Sequence, residues 1–337
     1  MSARNAERDR RRRTLTMLAA ATLSGSGLAG AQTAASPAPF PTRPLRLVVP
    51  FTAGGNVDLV ARIVAQALGE QLGQNVVVEN RPGANAIIGA EFVARAAPDG
   101  YTMLVGTAET HAINPHIYAK LPYDPLQDLV SVGVIDRFPF SLVVHPGLPV
   151  RDLGEFVAHA KRNRDRINYA SWGVGSTSQI AFEQIKQTGG FDAVHVPFQG
   201  AAPAITAVAA GDVQAFVVPL SVAVPHANAG RVKLLAVTSA QREQSAPSVP
   251  TATEQGLPVV IGGWHVLTVP RATPADVVER LNQALARATS VPAVRDSLLK
   301  QGVEPLTMSS AQTRDMVRAE WQRWGQVAQA AGVRASQ

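Results

Sequence analysis

The tightest constraint on how this chain can fold is the stretch Pro50-Phe51-Thr52-Ala53-Gly54-Gly55-Asn56-Val57-Asp58. The apolar run Leu45–Val49 before it has the character of a buried strand. After it, Leu59, Val60, Ile63, Val64, Ala67 and Leu68 recur at helical spacing. A strand is therefore turned into a helix within a few residues. The glycines let backbone N–H groups approach a ligand, and the helix points its positive end into the same space. Such a turn can hold an anion, although the same sequence also serves as a plain turn in α/β domains. Neither G-x-G-x-x-G nor the phosphate loop G-x-x-x-x-G-K-S/T occurs, so nothing specifies a nucleotide.

The alternation continues. Val76–Glu79 reads as a second strand, and Ile87, Ile88, Phe92 and Val93 mark a second helix that Pro98-Asp99-Gly100 stops before the strand Tyr101–Gly106. This order predicts a parallel sheet with ligand loops at the strand C-termini. A longer connection through Thr107, Glu109 and His111 leads to two further strands, Val130–Ile135 and Ser141–Val144. His111 is open to either a structural or an acid–base reading. From Val150 the pattern starts afresh: a helix, the strand Ile167–Ser171, and a second Gly-rich turn, Trp172-Gly173-Val174-Gly175-Ser176. Ser176 followed by Gln179 fits a capping box. Strands at 193–197, 213–219 and 232–237 alternate with helices. Extended segments at 259–262 and 264–269 lead back, and Pro274 opens the C-terminal helices as their first residue.

Charge and composition narrow the function. The first 31 residues hold six Arg against Glu7 and Asp9, which is +4 of the formal +6, so residues 32–337 carry only +2. A near-neutral body offers no footprint for nucleic acid. The basic start, the apolar segment Leu15–Leu23 and Ala29-Gly30-Ala31 fit an export signal, residues 1–31, cleaved after Ala31. Sec and twin-arginine routes both remain open, since Thr16 interrupts the apolar pair expected after Arg12-Arg13. Residues 32–44 read as a Pro/Ala linker, and the fold is expected to begin near Leu45. The chain has no cysteine, so disulfides and thiolate metal sites are excluded. No cofactor and no metal is expected.

In this order the motifs resemble the extracytoplasmic solute receptors of tripartite tricarboxylate transporters, the Bug or TctC-like family. The matching pieces are Pro50–Gly55 with Asp58, Asn80–Ala84, Pro98–Thr102, Thr110–Pro115 and Leu121–Asp124. In the second half they are Tyr169–Ser171, Gly173, Gly175-Ser176, His195–Phe198, Gly200, Ala202–Ala204 and Leu235–Ser239. The resemblance spans about Pro41 to Val333. It implies an α/β, two-domain type II periplasmic binding-protein fold, a Venus-flytrap clamshell. Residues 45–143 and 267–337 would form domain 1, and 144–266 domain 2. One wall of the ligand site would be Phe51, Thr52, Ala53, Gly54 and Gly55. The other would be Ser171, Gly173, Gly175, Ser176 and Thr177, with Phe198 and Gly200 alongside. Thr107 and Asp58 complete the candidate set.

The resemblance also implies a monomeric periplasmic receptor. It would bind a small carboxylate (a mono-, di- or tricarboxylate, or an acidic amino acid) and deliver it to a membrane permease. A signalling receptor and, more remotely, a hydrolase built on Ser176, His111 and Asp58 are the alternatives. Asp58 has two readings, an acidic residue favoured in a first helical turn or a partner for a ligand ammonium. The chain departs from the family at Asn85-Ala86, where two glycines are usual, at Gln179, where histidine is common, and at Phe198-Gln199, where an aromatic hydroxyl and lysine are common. The first change implies a differently shaped loop, the second the loss of a partner at that turn, and the third a less polar pocket.

Overall fold

The computed structural model describes residues 40–164 and 166–335, so the expected export segment lies outside the described residues. The chain is already packed at Phe40, five residues before the expected start. The Phe40 ring meets the edge of Tyr101 at 5.0 Å, and Thr42 N–H donates to the Tyr101 hydroxyl at 2.8 Å.

Three parallel strands open the sheet: β1 (Leu45–Val49), β2 (Val76–Asn80) and β3 (Thr102–Gly106), linked by helices α1 (Asn56–Leu72) and α2 (Ile87–Ala94). Leu47, Val48 and Val49 are fully buried because helices cover both faces of a parallel sheet. The second half repeats the scheme with β5 (Asn168–Ser171), β6 (Val194–Pro197) and β7 (Ala215–Pro219), again parallel. Between them run α4 (Leu153–Arg162), α5 (Thr177–Gly189) and α6 (Ala201–Ala210), and α7 (Leu220–Asn228) leads to β8 (Lys233–Val237).

The halves share one strand. β4 (Leu129–Val144) is a single element of 16 residues where the sequence suggests two. Up to Pro139 it pairs with β9 (Gly262–Pro270), and from Phe140 onward with β7 and β8. Pro139 sits where the strand exchanges partners, so its missing N–H breaks no continuous ladder. Thr238 pins this crossing: its N–H donates to Phe140 O at 2.9 Å and its hydroxyl to Ile261 O at 2.6 Å. The full order is β2-β1-β3-β9-β4-β7-β5-β6, with β8 and the short β10 (Glu304–Pro305) also on β4.

The remaining helices are the short α3 (Asn114–Ile117), α8 (Ala275–Ser290), α9 (Pro292–Lys300) and α10 (Ser310–Ala330). Pro274 caps α8 instead of being its first residue. Helix α10 carries Trp324 and Ala328 into the same core as Phe156, Phe182 and Ile113, so it leans on both halves.

Phe182 is the centre of that core in the second half. Its ring stacks on Tyr169 at 3.9 Å and meets Phe156 and Phe191 edge-on. Phe182→Ala is expected to remove about 3–5 kcal/mol of stability. Urea unfolding should show this as a lower midpoint with an unchanged slope.

Candidate functional site

The carboxyl ends of β1, β3, β5, β6 and β7 converge on one cleft, the place where open α/β sheets bind ligands. It encloses about 50 Å³, space for a few water-sized groups. Six of the candidate residues line it: Phe51, Thr52, Gly55, Thr107, Thr177 and Gly200. Asn56, Val57, Ala108, Glu109, Phe138, Trp172, Ala201, Pro219, Gly263, Trp264 and His265 also line it, and none of these is in the set expected from sequence. The walls are therefore largely apolar and aromatic.

The remaining candidates shape the walls from behind. Asp58 is buried on the far side of the first turn. It accepts from Gly54 N–H at 3.0 Å, from Arg62 through both carboxylate oxygens at 3.0 Å, and from Asn80 Nδ2 at 2.9 Å. Burial alone would raise its carboxyl pKa. The bonds from Arg62, Gly54 and Asn80, with the Arg62 charge, outweigh that and hold it below the ordinary carboxylate value. Asn80 Nδ2 also donates to Phe51 O at 3.1 Å, so the Asp58 cluster fixes the shape of the Gly54-Gly55 turn. Gly54 itself has φ +84°, a left-handed conformation that suits glycine. Ala53 lies in the same turn without lining the cleft.

In the second turn, Ser176 caps α5: its hydroxyl accepts from Gln179 N–H at 3.3 Å and donates to Gly173 O at 2.6 Å. The box does not close, because Gln179 Oε1 accepts from Gly175 N–H instead of from Ser176. Ser171 Oγ lies 2.6 Å from His195 Nε2 and accepts from Gly173 N–H at 3.1 Å, while Phe198 N–H donates to Ser171 O. These hydroxyls are committed within the turn. Ser176, His111 and Asp58 thus each bond to other partners, and none bonds to another of the three.

The first turn meets the loop after β6 and the start of α7 across the cleft. A Cβ on Gly200, whose φ is +118°, would fall 2.4 Å from Thr52 Oγ1. Ser221 Oγ donates to Asn56 Oδ1 at 2.8 Å, and Asn56 Nδ2 is buried without a partner among the described residues. The 81–86 loop reaches the same seam: Ala84, Asn85 and Ala86 take positive φ of 46°, 50° and 71°, where the family's glycines would be at ease. Asn85 Nδ2 donates to Asn114 Oδ1, and Asn114 Nδ2 returns a bond to Asn85 O, both at 2.8 Å.

Glu109 is the charged residue among those that sequence reasoning missed in the first-lobe loops of the cleft. It follows β3 in a five-residue π-helical turn, Glu109–Ile113, and is 3% exposed. Its Oε1 accepts from Thr177 N–H at 2.9 Å, the Thr177 hydroxyl at 2.7 Å and Trp172 Nε1 at 3.1 Å. Its Oε2 accepts from the Thr107 hydroxyl at 2.8 Å. The only signal in sequence is an acid shortly past a strand end, which is too common to single out.

A second buried acid, Asp136 on β4, faces His265 on β9, whose Nδ1 lies 2.9 Å from both carboxylate oxygens. Burial pushes the Asp136 carboxyl upward and His265 opposes the shift. The His265 ring stacks on Phe138 at 4.7 Å, and its Nε2 has no partner among the described residues.

The pattern of the tripartite tricarboxylate transporter family receptor matches residues 60–333, and the chain belongs to that family. Protein BugT of Bordetella pertussis is 31% identical over 297 residues, covering 88% of this chain and 91% of that protein. An R. palustris protein solved with adipate superposes with a TM-score of 0.85 at 35% identity, over 88% of this chain and 99% of that one. MatC from Rhodopseudomonas palustris with bound malate gives 0.81 at 35% identity, over 86% and 99%. The architecture is the two-lobed α/β clamshell of periplasmic binding proteins.

His111 does not reach the cleft. It is wholly buried beneath Gly106, edge-on to Trp264 at 6.3 Å, with Nδ1 2.8 Å from the Thr110 hydroxyl. Burial lowers its pKa from 6.5 to about 4, and His195 is lowered to about 4 for the same reason. Between those values the unfolded chain takes up a proton that the folded chain refuses, so acidification favours unfolding. Stability is expected to fall by about 1.4 kcal/mol per pH unit for His111 as pH drops from 6.5 toward 4. His111→Gln should flatten that part of the curve in chemical unfolding measured across the same range.

Proposed function

We propose that this chain is a periplasmic solute receptor that closes its two lobes on a small carboxylate and delivers it to the membrane permease of a tripartite tricarboxylate transporter. The observation that carries the reading is the cleft itself. The first turn of α1 presents N–H groups without intrahelical partners, beside the buried and unpartnered Asn56 Nδ2. Oriented amides of this kind hold a carboxylate without a buried cation. The adipate and malate found in similar proteins support the ligand class. The lobes would be residues 45–143 with 267–337, and 144–266. They would hinge where β4 exchanges partners and Thr238 ties Phe140 to Ile261. Phe51, Thr52, Gly55 and Gly200 would contact the ligand, while Thr107 and Thr177 line the cleft with their hydroxyls on Glu109. Asp58 would brace the turn, since its oxygens are already filled from Gly54, Arg62 and Asn80.

Ligand binding only to the folded, closed form raises stability. Saturation at ~100 times Kd is expected to add ~2.7 kcal/mol, read as a thermal shift with the acid concerned. Native mass spectrometry of freshly purified protein should show a bound acid. No shift across a broad carboxylate and amino-acid panel, with nothing co-purifying, would falsify the receptor reading. Gly200→Ala should hold the jaws apart, because the new methyl strikes Thr52 and strains the backbone. The expected result is at least a tenfold loss of affinity with a larger radius of gyration in small-angle scattering.

A further inference from the structure

Two anion seats face each other in this cleft, and one of them is already taken by the chain. The N-terminus of α5, the Thr177 hydroxyl and the Trp172 indole all converge on Glu109 Oε1, at 2.7–3.1 Å. Thr107 holds the other oxygen from the first lobe. Glu109 has no ion-pair partner among the described residues, so dipoles alone hold a buried carboxylate. This is the arrangement that a ligand carboxylate would use to reach the second lobe. The other seat is open: Asn56 Nδ2, an amide donor, is buried, lines the cleft and lacks a partner among the described residues. Ser221 orients that amide by donating to its Oδ1, and the first-turn N–H groups of α1 lie beside it. Between the seats the lining is Phe51, Val57, Phe138, Trp172, Pro219 and Trp264.

We infer that Glu109 is a built-in carboxylate filling the second anion seat, so that the cleft admits acids with one carboxylate on an apolar body and rejects dicarboxylates. This rests on the receptor reading and sharpens it. A second ligand carboxylate would have to lie against the aromatic wall without a donor, or beside Glu109 with no cation between them. Both placements strand a buried charge. An aliphatic chain or a ring meets only the surfaces it prefers.

Calorimetric titration of the ligand-stripped protein tests this with straight-chain monocarboxylates of two to eight carbons, phenylacetate, malate and adipate. The best monocarboxylate is expected to bind at least 100-fold more tightly than either diacid. In Glu109→Ala the second seat is vacated, and adipate should gain at least tenfold relative to that monocarboxylate. Glu109→Gln keeps an acceptor for Thr177 and Trp172 while removing the charge. It should narrow the preference against diacids and keep the wild-type circular dichroism, which guards against a variant that simply fails to fold. Malate or adipate binding within tenfold of the best monocarboxylate, or a diacid co-purifying, overturns this inference and leaves the receptor reading intact. If no acid of any kind binds, both fall together.

Discussion

A carboxylate withdrawn from water needs either a cation or a set of dipoles aimed at it. Glu109 uses dipoles, and much of the cleft depends on that choice. Its donors come from the end of β3 and from the turn after β5, so one side chain ties the loops of both lobes together. The turn after β5 can supply them because Ser176 and Gln179 have already satisfied its own backbone. That frees the N–H of Thr177 to point outward. The π-helical winding of Glu109–Ile113 presents the acid at the mouth of the strand while burying His111 beneath it. An acid with no ion-pair partner among the described residues is thus held by three local features: a cap, a wide helical turn and an indole in position.

Much of this architecture was legible in sequence. Apolar runs mark β1 to β3 and β5 to β8 within a residue or two; burial on both faces leaves a plain signal in β1, β3 and β7, while the edge strands β2 and β6 are partly exposed and are marked by their β-branched residues. The family resemblance supplied the clamshell that pattern alone could not. Where reading failed, long-range partners were the cause. Pro139 looks like a strand breaker until β4 is seen to change neighbours at that residue. Phe40 reads as linker because its partner, Tyr101, stands 61 positions away. The site shows the same division. The two glycine turns were visible as turns, yet Asp58 faces away from the cleft because Asn80, on the next strand, draws it into the scaffold. Glu109, Asn56 and His265 acquire meaning only from neighbours that the fold brings to them.

The lobes communicate through few covalent routes. β4 runs through both without interruption, and the chain returns through residues 238–261 into β9. Bulges interrupt the β4–β9 register between Ser131 and Gly133 and between Val134 and Asp136, just before the crossing. The buried Asp136–His265 pair sits at the second of these. It joins the two return strands side by side and turns a free imidazole nitrogen toward the cleft. Bending of the crossing and occupancy of the cleft therefore share a residue, the arrangement a two-state closure needs.

The loop at residues 84–86 has a consequence for how fast the jaws can find one another. Glycines would adopt the left-handed path without strain, but they would also wander widely before closure. Residues with side chains narrow the range of shapes the loop can sample, and the paired amides of Asn85 and Asn114 narrow it further. The rim of the first lobe is in effect a stiff gasket. In the closure proposed above it would present one contour to the opposing turn, and the search would be over the hinge angle alone.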